Sequence, residues 1–267
     1  MPNFICVTCG TQFADSEREP EQCPICEDPR QYVGLEGQRW TTLEAMRATH
    51  RNTITPADPD LYSVGVEPIF AIGQRSLLIV QPKGCVLWDC VPLVDDDIYE
   101  AVRSLGGLVA IAISHPHYYT TMVEWARAFE CPVYLHAADR HWVMRPDPSL
   151  VLWEGDSMPL GDLTLIRCGG HFDGGCVLHW PGGAGGAGAL LTGDIIQVVP
   201  DRRWVSFMNS YPNFIPLPSA AVRRIVEAVE PYRFDRIYGA WPEKVVVTDA
   251  KAAVERSADR YIRAIEG

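Results

Sequence analysis

The sequence is poor in basic residues and contains no long apolar run. It has 267 residues, with 23 Lys and Arg against 34 Asp and Glu, so its formal net charge is -11. This charge balance disfavours binding to nucleic-acid phosphates, and we expect no nucleic-acid partner. No apolar stretch is long enough to cross a bilayer, so we expect no membrane association. The N-terminus has neither the basic nor the apolar segment of a secretory signal, which predicts a cytoplasmic protein.

Four of the nine cysteines form two Cys-x-x-Cys pairs near the N-terminus. Cys6 and Cys9 stand in Cys-Val-Thr-Cys, and Cys23 and Cys26 stand in Cys-Pro-Ile-Cys. Each tight turn brings two sulfurs within reach of one ion, so the two pairs supply four thiolates in tetrahedral arrangement. Sulfur ligands fit either zinc or iron, and we favour structural zinc because no second redox motif accompanies the pairs. The remaining cysteines are predicted to be small buried thiols.

The cysteine segment resembles the metal knuckles of rubredoxins and zinc ribbons. This resemblance implies a small rubredoxin-like or zinc-ribbon module over residues 1–34. A helix-start signature over residues 40–47 and a proline-rich stretch over residues 53–59 predict a helix and a linker within residues 35–60, and the apolar run over residues 69–72 predicts a strand. A chain of about thirty residues buries too little apolar surface to fold alone, so the metal is expected to supply the folding energy. We therefore expect the module to stabilise the protein without taking part in its chemistry.

Three histidines and one aspartate each follow an apolar run that is typical of a buried strand. His115 and His117 stand in Ser-His-Pro-His-Tyr-Tyr-Thr, His171 in Cys-Gly-Gly-His, and Asp194 in Leu-Thr-Gly-Asp. Residues at strand ends enter loops, where metal sites are commonly built. A His-x-His pair directs two imidazoles toward a common point, and imidazole with carboxylate suits zinc, iron or manganese. The sequence therefore predicts that these four side chains bind a metal.

The order and context of these residues resemble the ligand pattern of the metallo-β-lactamase superfamily, over residues 64–241. That pattern is His-x-His-x-Asp-His, then a Gly-His, then a Gly-Asp after a strand. The resemblance implies an α/β fold, the αββα sandwich of this family, in a domain over residues 61–267. Strand-rich and helix-rich segments in both halves of the sequence agree with two sheets packed face to face with helices outside.

The second metal site of that superfamily is degenerate in this sequence. Tyr119 and Thr120 stand where the family carries Asp-His, and the segment Tyr238-Gly239-Ala240-Trp241 stands where a late Gly-His follows a strand. Most ligands of the second site are therefore missing. The resemblance implies one metal ion in this site, not two.

A metal-dependent hydrolase with a mononuclear zinc site is the function that the resemblance implies, and iron is the alternative metal. Asp194 is expected either to ligate the ion or to act as a general base. Tyr119 is expected either to donate a hydrogen bond to an oxyanion or to fill the vacated second site. Asp89, at the end of an apolar run, and Asp173 are candidates for holding the ligands in place.

The expected partner is a small-molecule substrate. An aromatic and proline-rich stretch over residues 204–218 follows the predicted strand that ends at Asp194, where family members place loops that cover the substrate. Its aromatic residues are Trp204, Phe207, Tyr211 and Phe214. Aromatic lining favours a small, partly apolar ester, lactone or thioester, whereas the alternative is a packing loop over a sheet edge.

Two alternatives to a hydrolase stay open at the level of sequence. His115, His171 and Asp194 match the set of two histidines and one carboxylate that mononuclear iron oxygenases use. The persulfide dioxygenase branch of the same superfamily uses such a site. The other alternative is a metal-binding member of the fold that no longer catalyses a reaction.

Overall fold

The computed structural model describes all residues, Met1–Gly267, and they form two compact units. The first unit comprises Met1–Leu135 and Arg140–Leu152. The second comprises His136–Asp139 and Trp153–Gly267. A seven-stranded sheet belongs mainly to the first unit and a six-stranded sheet to the second.

The first unit begins with the cysteine segment. Strands β1 (Phe4–Cys6) and β2 (Trp40–Thr42) pair in antiparallel orientation, and helix α1 (Pro24–Glu27) starts directly after the cysteine at position 23. Helix α2 (Leu43–Arg47) follows β2, and the Thr42 side chain caps it by accepting the Ala45 N–H. The predicted helix start near this position is therefore confirmed.

The seven-stranded sheet has its strands in chain order from β3 to β9. The first four strands pair in antiparallel orientation, whereas β6 with β7 and β7 with β8 are parallel. The strands are β3 (Arg51–Asp58), β4 (Leu61–Glu67), β5 (Ser76–Ile79), β6 (Cys85–Trp88), β7 (Leu108–Ala112), β8 (Val133–His136) and β9 (Leu150–Trp153). Helices α3 (Asp96–Ser104) and α4 (Met122–Phe129) connect the parallel strands, as parallel pairing requires.

Two predictions for this unit are wrong. The segment predicted as a proline-rich linker over residues 53–59 lies mostly in β3, because Pro56 is on the edge strand, where a missing N–H is tolerated. Residues 69–72, which have the apolar composition of a strand, form a turn in which the Gly73 N–H donates to the Phe70 carbonyl. Ala71 and Gly73 adopt positive φ there, and Ile69 is exposed.

The six-stranded sheet of the second unit has the order β10-β11-β12-β13-β18-β19. Only β13 and β18 pair in parallel orientation. Its strands are β10 (Ser157–Leu160), β11 (Leu163–Arg167), β12 (Cys176–Trp180), β13 (Ala189–Gly193), β18 (Arg236–Gly239) and β19 (Val245–Val246). A short helical turn, α5 (Gly183–Gly186), joins β12 to β13.

Two small ribbons and two helices complete the second unit. The ribbons pair β14 (Gln197–Val198) with β15 (Val205–Ser206), and β16 (Met208–Ser210) with β17 (Ile215–Pro216). Helices α6 (Ser219–Val229) and α7 (Ala250–Glu266) contribute residues at helical spacing to one apolar core with the sheet. None of the helices combines the length and the apolar character that crossing a bilayer requires.

Candidate metal centres

The histidine pair follows strand β7 of the first unit. His115 lies in extended backbone, and Pro116–Tyr118 form a single 3-10 turn, which is compatible with proline at its first position. Both histidines are buried, and their ring centroids are 5.0 Å apart. The start of this loop is fixed by the buried Asp89, whose carboxylate accepts the Ser114 N–H at 2.7 Å. This contact agrees with the predicted supporting role of Asp89.

The orientation of His115 is set by its own neighbours. Its Nδ1 atom is 2.9 Å from the Ser114 hydroxyl oxygen, and the Tyr118 ring packs edge-on at 4.6 Å between centroids. Because Nδ1 is engaged in this hydrogen bond, Nε2 is the atom suited to bind an ion. The sequence motif did not indicate the role of Ser114.

Two glycines connect strand β11 to His171, and their backbone conformation favours glycine over other residues. Gly169 and Gly170 adopt φ values of +67° and +80°. A Cβ atom on Gly170 would come within 2.9 Å of the Ile225 side chain, so the loop also lies close against α6. The His171 Nδ1 is 3.1 Å from the Met208 carbonyl oxygen, an interaction that makes Nδ1 the protonated nitrogen and assigns Nε2 to the ligand role.

Asp194 follows strand β13 and is buried. Its carboxylate oxygen Oδ1 is 3.9 Å from His171 Nε2. Its main-chain carbonyl accepts a hydrogen bond from the Tyr211 hydroxyl at 2.9 Å, and the same hydroxyl is 3.2 Å from the Ser206 carbonyl. Burial, together with the nearby Asp194 charge, raises the pKa of Tyr211 well above its usual value, so the phenol stays a hydrogen-bond donor.

The structure brings the four predicted ligands together. His115, His117, His171 and Asp194 each offer one ligand atom, and these atoms all lie within 4.8 Å of one another. Ligands at about 2.1 Å from a tetrahedral zinc ion are about 3.4 Å apart, so a small inward movement completes such a shell. Three imidazoles and one carboxylate form a donor set that zinc and iron both accept. The residues therefore fit a single metal ion.

The four N-terminal cysteines form a second buried group, and their ligand atoms also lie within 4.8 Å of one another. The sulfurs of Cys6 and Cys26 are 3.6 Å apart, and those of Cys9 and Cys23 are 3.7 Å apart. A tetrahedral ion with sulfurs at about 2.3 Å places them about 3.8 Å from each other, whereas a disulfide bond is about 2.05 Å long. The geometry fits a tetrathiolate metal centre and excludes disulfide bonds.

The other site candidates lie in different surroundings. Tyr119 is buried beside the histidine loop, where its N–H donates to the Pro116 carbonyl. Asp173 is exposed, and its main-chain carbonyl accepts a hydrogen bond from Arg167, so the predicted support from its carboxylate is not favoured. The buried Asp139 instead accepts the Gly174 N–H at 2.9 Å, close after His171. Asp139 lies far from this motif in sequence, and no local signal indicates its role.

The aromatic stretch over residues 204–218 contributes strands β15, β16 and β17 of the two ribbons. Phe207 is fully buried in the core of the second unit, and Tyr211 holds the Asp194 backbone. Trp204 packs against the Arg260 guanidinium at 3.7 Å from the ring centroid. Of its four aromatic residues, only Phe214 is strongly exposed. These contacts favour the packing alternative for most of the stretch over a loop that covers a substrate.

Solved structures similar to this one are metallo-β-lactamases. The DIM-1 metallo-β-lactamase matches with a TM-score of 0.60 at 13% sequence identity, over 80% of this chain and 98% of that one. The metallo-β-lactamase FIM-1 from Pseudomonas aeruginosa, in its mono-zinc form, matches with a TM-score of 0.58 at 14% identity, over 78% of this chain and 95% of that one. The predicted metallo-β-lactamase-like α/β fold is thus confirmed, and a four-cysteine cluster precedes it.

One curated protein is similar over nearly the whole sequence. It is the uncharacterized protein YmaE of Bacillus subtilis (strain 168), which is 50% identical over 268 residues, covering 99% of this chain and 97% of YmaE. The chain belongs to the family of YmaE. A comparison with models of known protein families gives no match.

Proposed function

We propose that the protein is a metal-dependent hydrolase with one zinc ion at the histidine cluster, acting on a small ester, lactone or thioester. The observation that carries this proposal is the convergence of three buried imidazoles and one buried carboxylate within 4.8 Å. Buried ionisable groups brought this close are costly unless a charge partner or a metal compensates them. The mono-zinc form of FIM-1, which is similar in fold, gives the choice of zinc further support.

Each protein residue has a defined part in this proposal. His115, His117 and His171 hold the ion, with the rings of His115 and His171 oriented by hydrogen bonds at Nδ1. Asp194 completes the ligand set, since its carboxylate is next to His171 Nε2 and its backbone is fixed by Tyr211. A zinc ion bound there supplies Lewis acidity for hydrolysis. Tyr119 is assigned to donate a hydrogen bond to the oxygen that becomes negative in the transition state.

A single ion is proposed because the residues at the second-site positions are poor ligands. Tyr119 and Thr120 are both buried, and the late position carries Ala240 and Trp241. A neutral phenol and a hydroxyl do not compensate a second divalent cation as a carboxylate and an imidazole do. We propose that these positions therefore bind no second ion.

Hydrolysis by the zinc-loaded protein tests this function. Activated esters, lactones and thioesters are screened against zinc-loaded and chelated protein, and at least one class is expected to be hydrolysed only by the loaded form. Asp194→Asn is expected to lower that rate by about a hundredfold or more, because the carboxylate is a ligand or a base. A blank screen with protein that demonstrably holds zinc at the histidine cluster would contradict the proposal.

A mononuclear iron oxygenase is the second candidate, and the donor set supports it. His115, His171 and Asp194 make up the two-histidine, one-carboxylate set of such enzymes. In this alternative the protein loaded with ferrous iron consumes oxygen in the presence of a persulfide, whereas zinc-loaded protein hydrolyses nothing. Protein that binds metal but is inactive in both assays would support the non-catalytic alternative.

A further inference from the structure

The four-cysteine cluster is connected to the histidine loop through residues just after its first pair. The Gly10 N–H donates to the Cys6 carbonyl at 2.8 Å, and the Cys6 N–H donates to the Thr11 carbonyl at 3.0 Å. These bonds fold the chain tightly around the first pair of sulfurs. The position of the next residue, Gln12, therefore depends on the geometry of the cysteine cluster.

Gln12 is buried and contacts the end of the histidine loop. Its N–H donates to the Thr120 carbonyl at 3.0 Å, and its side-chain Nε2 donates to Glu124 at 3.1 Å. The buried Arg145 guanidinium bonds both the Gln12 side-chain oxygen and the Glu124 carboxylate. Polar groups that satisfy one another in a buried network fix a single arrangement, because breaking any one contact leaves its partner unsatisfied.

Thr120 is the residue whose conformation most needs this support. Its φ of +33° is unfavourable for a β-branched residue, and such a backbone persists only where the surroundings hold it. A continuous turn joins it to the ligands: the Tyr118 N–H donates to the His115 carbonyl at 3.1 Å and the Tyr119 N–H to the Pro116 carbonyl at 3.2 Å. Gln12 therefore supports the backbone that carries the histidine pair.

A second connection joins the cysteine cluster to the same network. The apolar residues packed against the cluster include Met144, which immediately precedes Arg145, and Trp142. The Met144 carbonyl accepts the Ala14 N–H at 3.0 Å. The network is thus connected to the cysteine segment through Gln12 and through the residues just before Arg145.

We propose that Gln12 is a positioning residue that couples the two metal centres, so that metal in the four-cysteine cluster raises the affinity of the histidine cluster for its own ion. This inference rests on the proposed metal occupancy of the histidine cluster but not on hydrolysis. Coupling of this kind is reciprocal and typically changes an affinity by about 5-fold to 150-fold. We expect a change of about tenfold here.

The test measures the metal affinity of the histidine cluster and does not depend on activity. The full-length protein with its cysteine cluster saturated is titrated with zinc against a competing chelator, which gives the Kd of the histidine cluster. Gln12→Ala is expected to raise this Kd about tenfold. The variant keeps the main-chain bond to Thr120, but it removes the side-chain contacts with Glu124 and Arg145 that hold the Gln12 main chain in place. Gln81→Ala is the control: Gln81 lies in the turn between β5 and β6, where its carbonyl accepts the Gly84 N–H, and it belongs neither to the network nor to the cysteine cluster. Its Kd is expected to equal that of the wild type.

A second variant empties the cysteine cluster directly. Cys6→Ser/Cys9→Ser is expected to weaken the histidine cluster at least as much as Gln12→Ala does. If this variant does not fold, Gln12→Ala decides alone, since it keeps all four thiols. Equal Kd values in the wild type, Gln12→Ala and Gln81→Ala would overturn the coupling while leaving the proposed function intact. A wild-type histidine cluster that binds no metal would overturn both.

Discussion

Residues outside the ligand motifs hold the ligand side chains in place. His171 is oriented by the Met208 carbonyl, His115 by the Ser114 hydroxyl and the Asp194 backbone by the Tyr211 phenol. Such partners select the nitrogen that faces the ion and limit the rotation of the ring. Metal affinity should therefore depend on residues that never touch the metal.

Tyr211→Phe tests this dependence. The variant loses the hydrogen bonds to the Asp194 and Ser206 carbonyls, so the free energy of unfolding is expected to fall by about 1–3 kcal/mol. The Kd for zinc at the histidine cluster is expected to rise by about tenfold. Urea unfolding and chelator competition measure the two effects. Tyr134→Phe, a half-buried tyrosine in β8, serves as the control, and equal Kd values for both variants would contradict this role of Tyr211.

Two buried histidines outside the metal centres make stability depend on pH. His136 Nε2 is 3.1 Å from the Gly155 carbonyl and its Nδ1 accepts the Ala138 N–H, while His179 Nε2 is 2.9 Å from the Arg233 carbonyl. Burial lowers the pKa of both rings below the value of an unfolded histidine. The unfolded state therefore binds protons more readily than the folded state does. Because of these two rings, the free energy of unfolding decreases as the pH falls below about 6.5.

His136→Gln/His179→Gln is expected to flatten this dependence. The free energy of unfolding of the wild type should decrease more steeply between pH 7.5 and pH 5.5 than that of the double variant, because glutamine does not titrate. Urea unfolding at each pH gives both slopes, and the exposed His141→Gln provides the control. Equal slopes for the wild type and the double variant would show that these two rings do not cause the pH dependence of the free energy of unfolding.

At the scale of elements, the ligands lie on loops that follow strands, and the loop that carries His171 allows little substitution. The loop after β11 needs Gly170 in the left-handed region, against the side chains of Ile225 and Leu217. Gly170→Ala is expected to lower the free energy of unfolding by about 1–3 kcal/mol and to weaken zinc binding through a displaced His171. Thermal unfolding and chelator competition measure these effects.

Gly185→Ala is a control that separates the effect of an unfavourable backbone conformation from the effect of steric crowding. Gly185 also has a positive φ, of +64°, but a Cβ atom there would meet nothing within 4 Å. The control variant should therefore lose about 1 kcal/mol and keep its zinc affinity. If both alanine variants bound zinc as tightly as the wild type, this would contradict the claim that close packing of the His171 loop supports zinc binding.

The sequence predicts the elements that carry the ligands better than those that support them. The strands before His115, His171 and Asp194 are marked by apolar runs. Strand β3 was missed because its proline suggested a linker, although an edge strand tolerates proline. Contacts such as that between Gln12 and Thr120 join residues over a hundred positions apart and leave no periodic signal in the sequence.

At the scale of the whole molecule, the chain combines a metallo-β-lactamase-like fold with two separate groups of metal ligands. One group is all sulfur and the other is nitrogen and oxygen, so each has its own preference among metals. The end of the cysteine module at residue 34 and the end of the following segment at residue 60 stay predictions, as do the cytoplasmic location and the small-molecule substrate. The number of ions that each group holds distinguishes a mononuclear histidine site from a dinuclear one.

The zinc content of each chain shows whether the histidine cluster holds one ion. The wild type and His115→Ala/His171→Ala are loaded with zinc, freed of excess metal and analysed for zinc per chain. We expect about two equivalents in the wild type, one for each group, and about one in the variant, which keeps only the tetrathiolate ion. A wild-type value near three, with one in the variant, would contradict a mononuclear site. Equal values in both proteins would contradict metal binding by the histidine cluster.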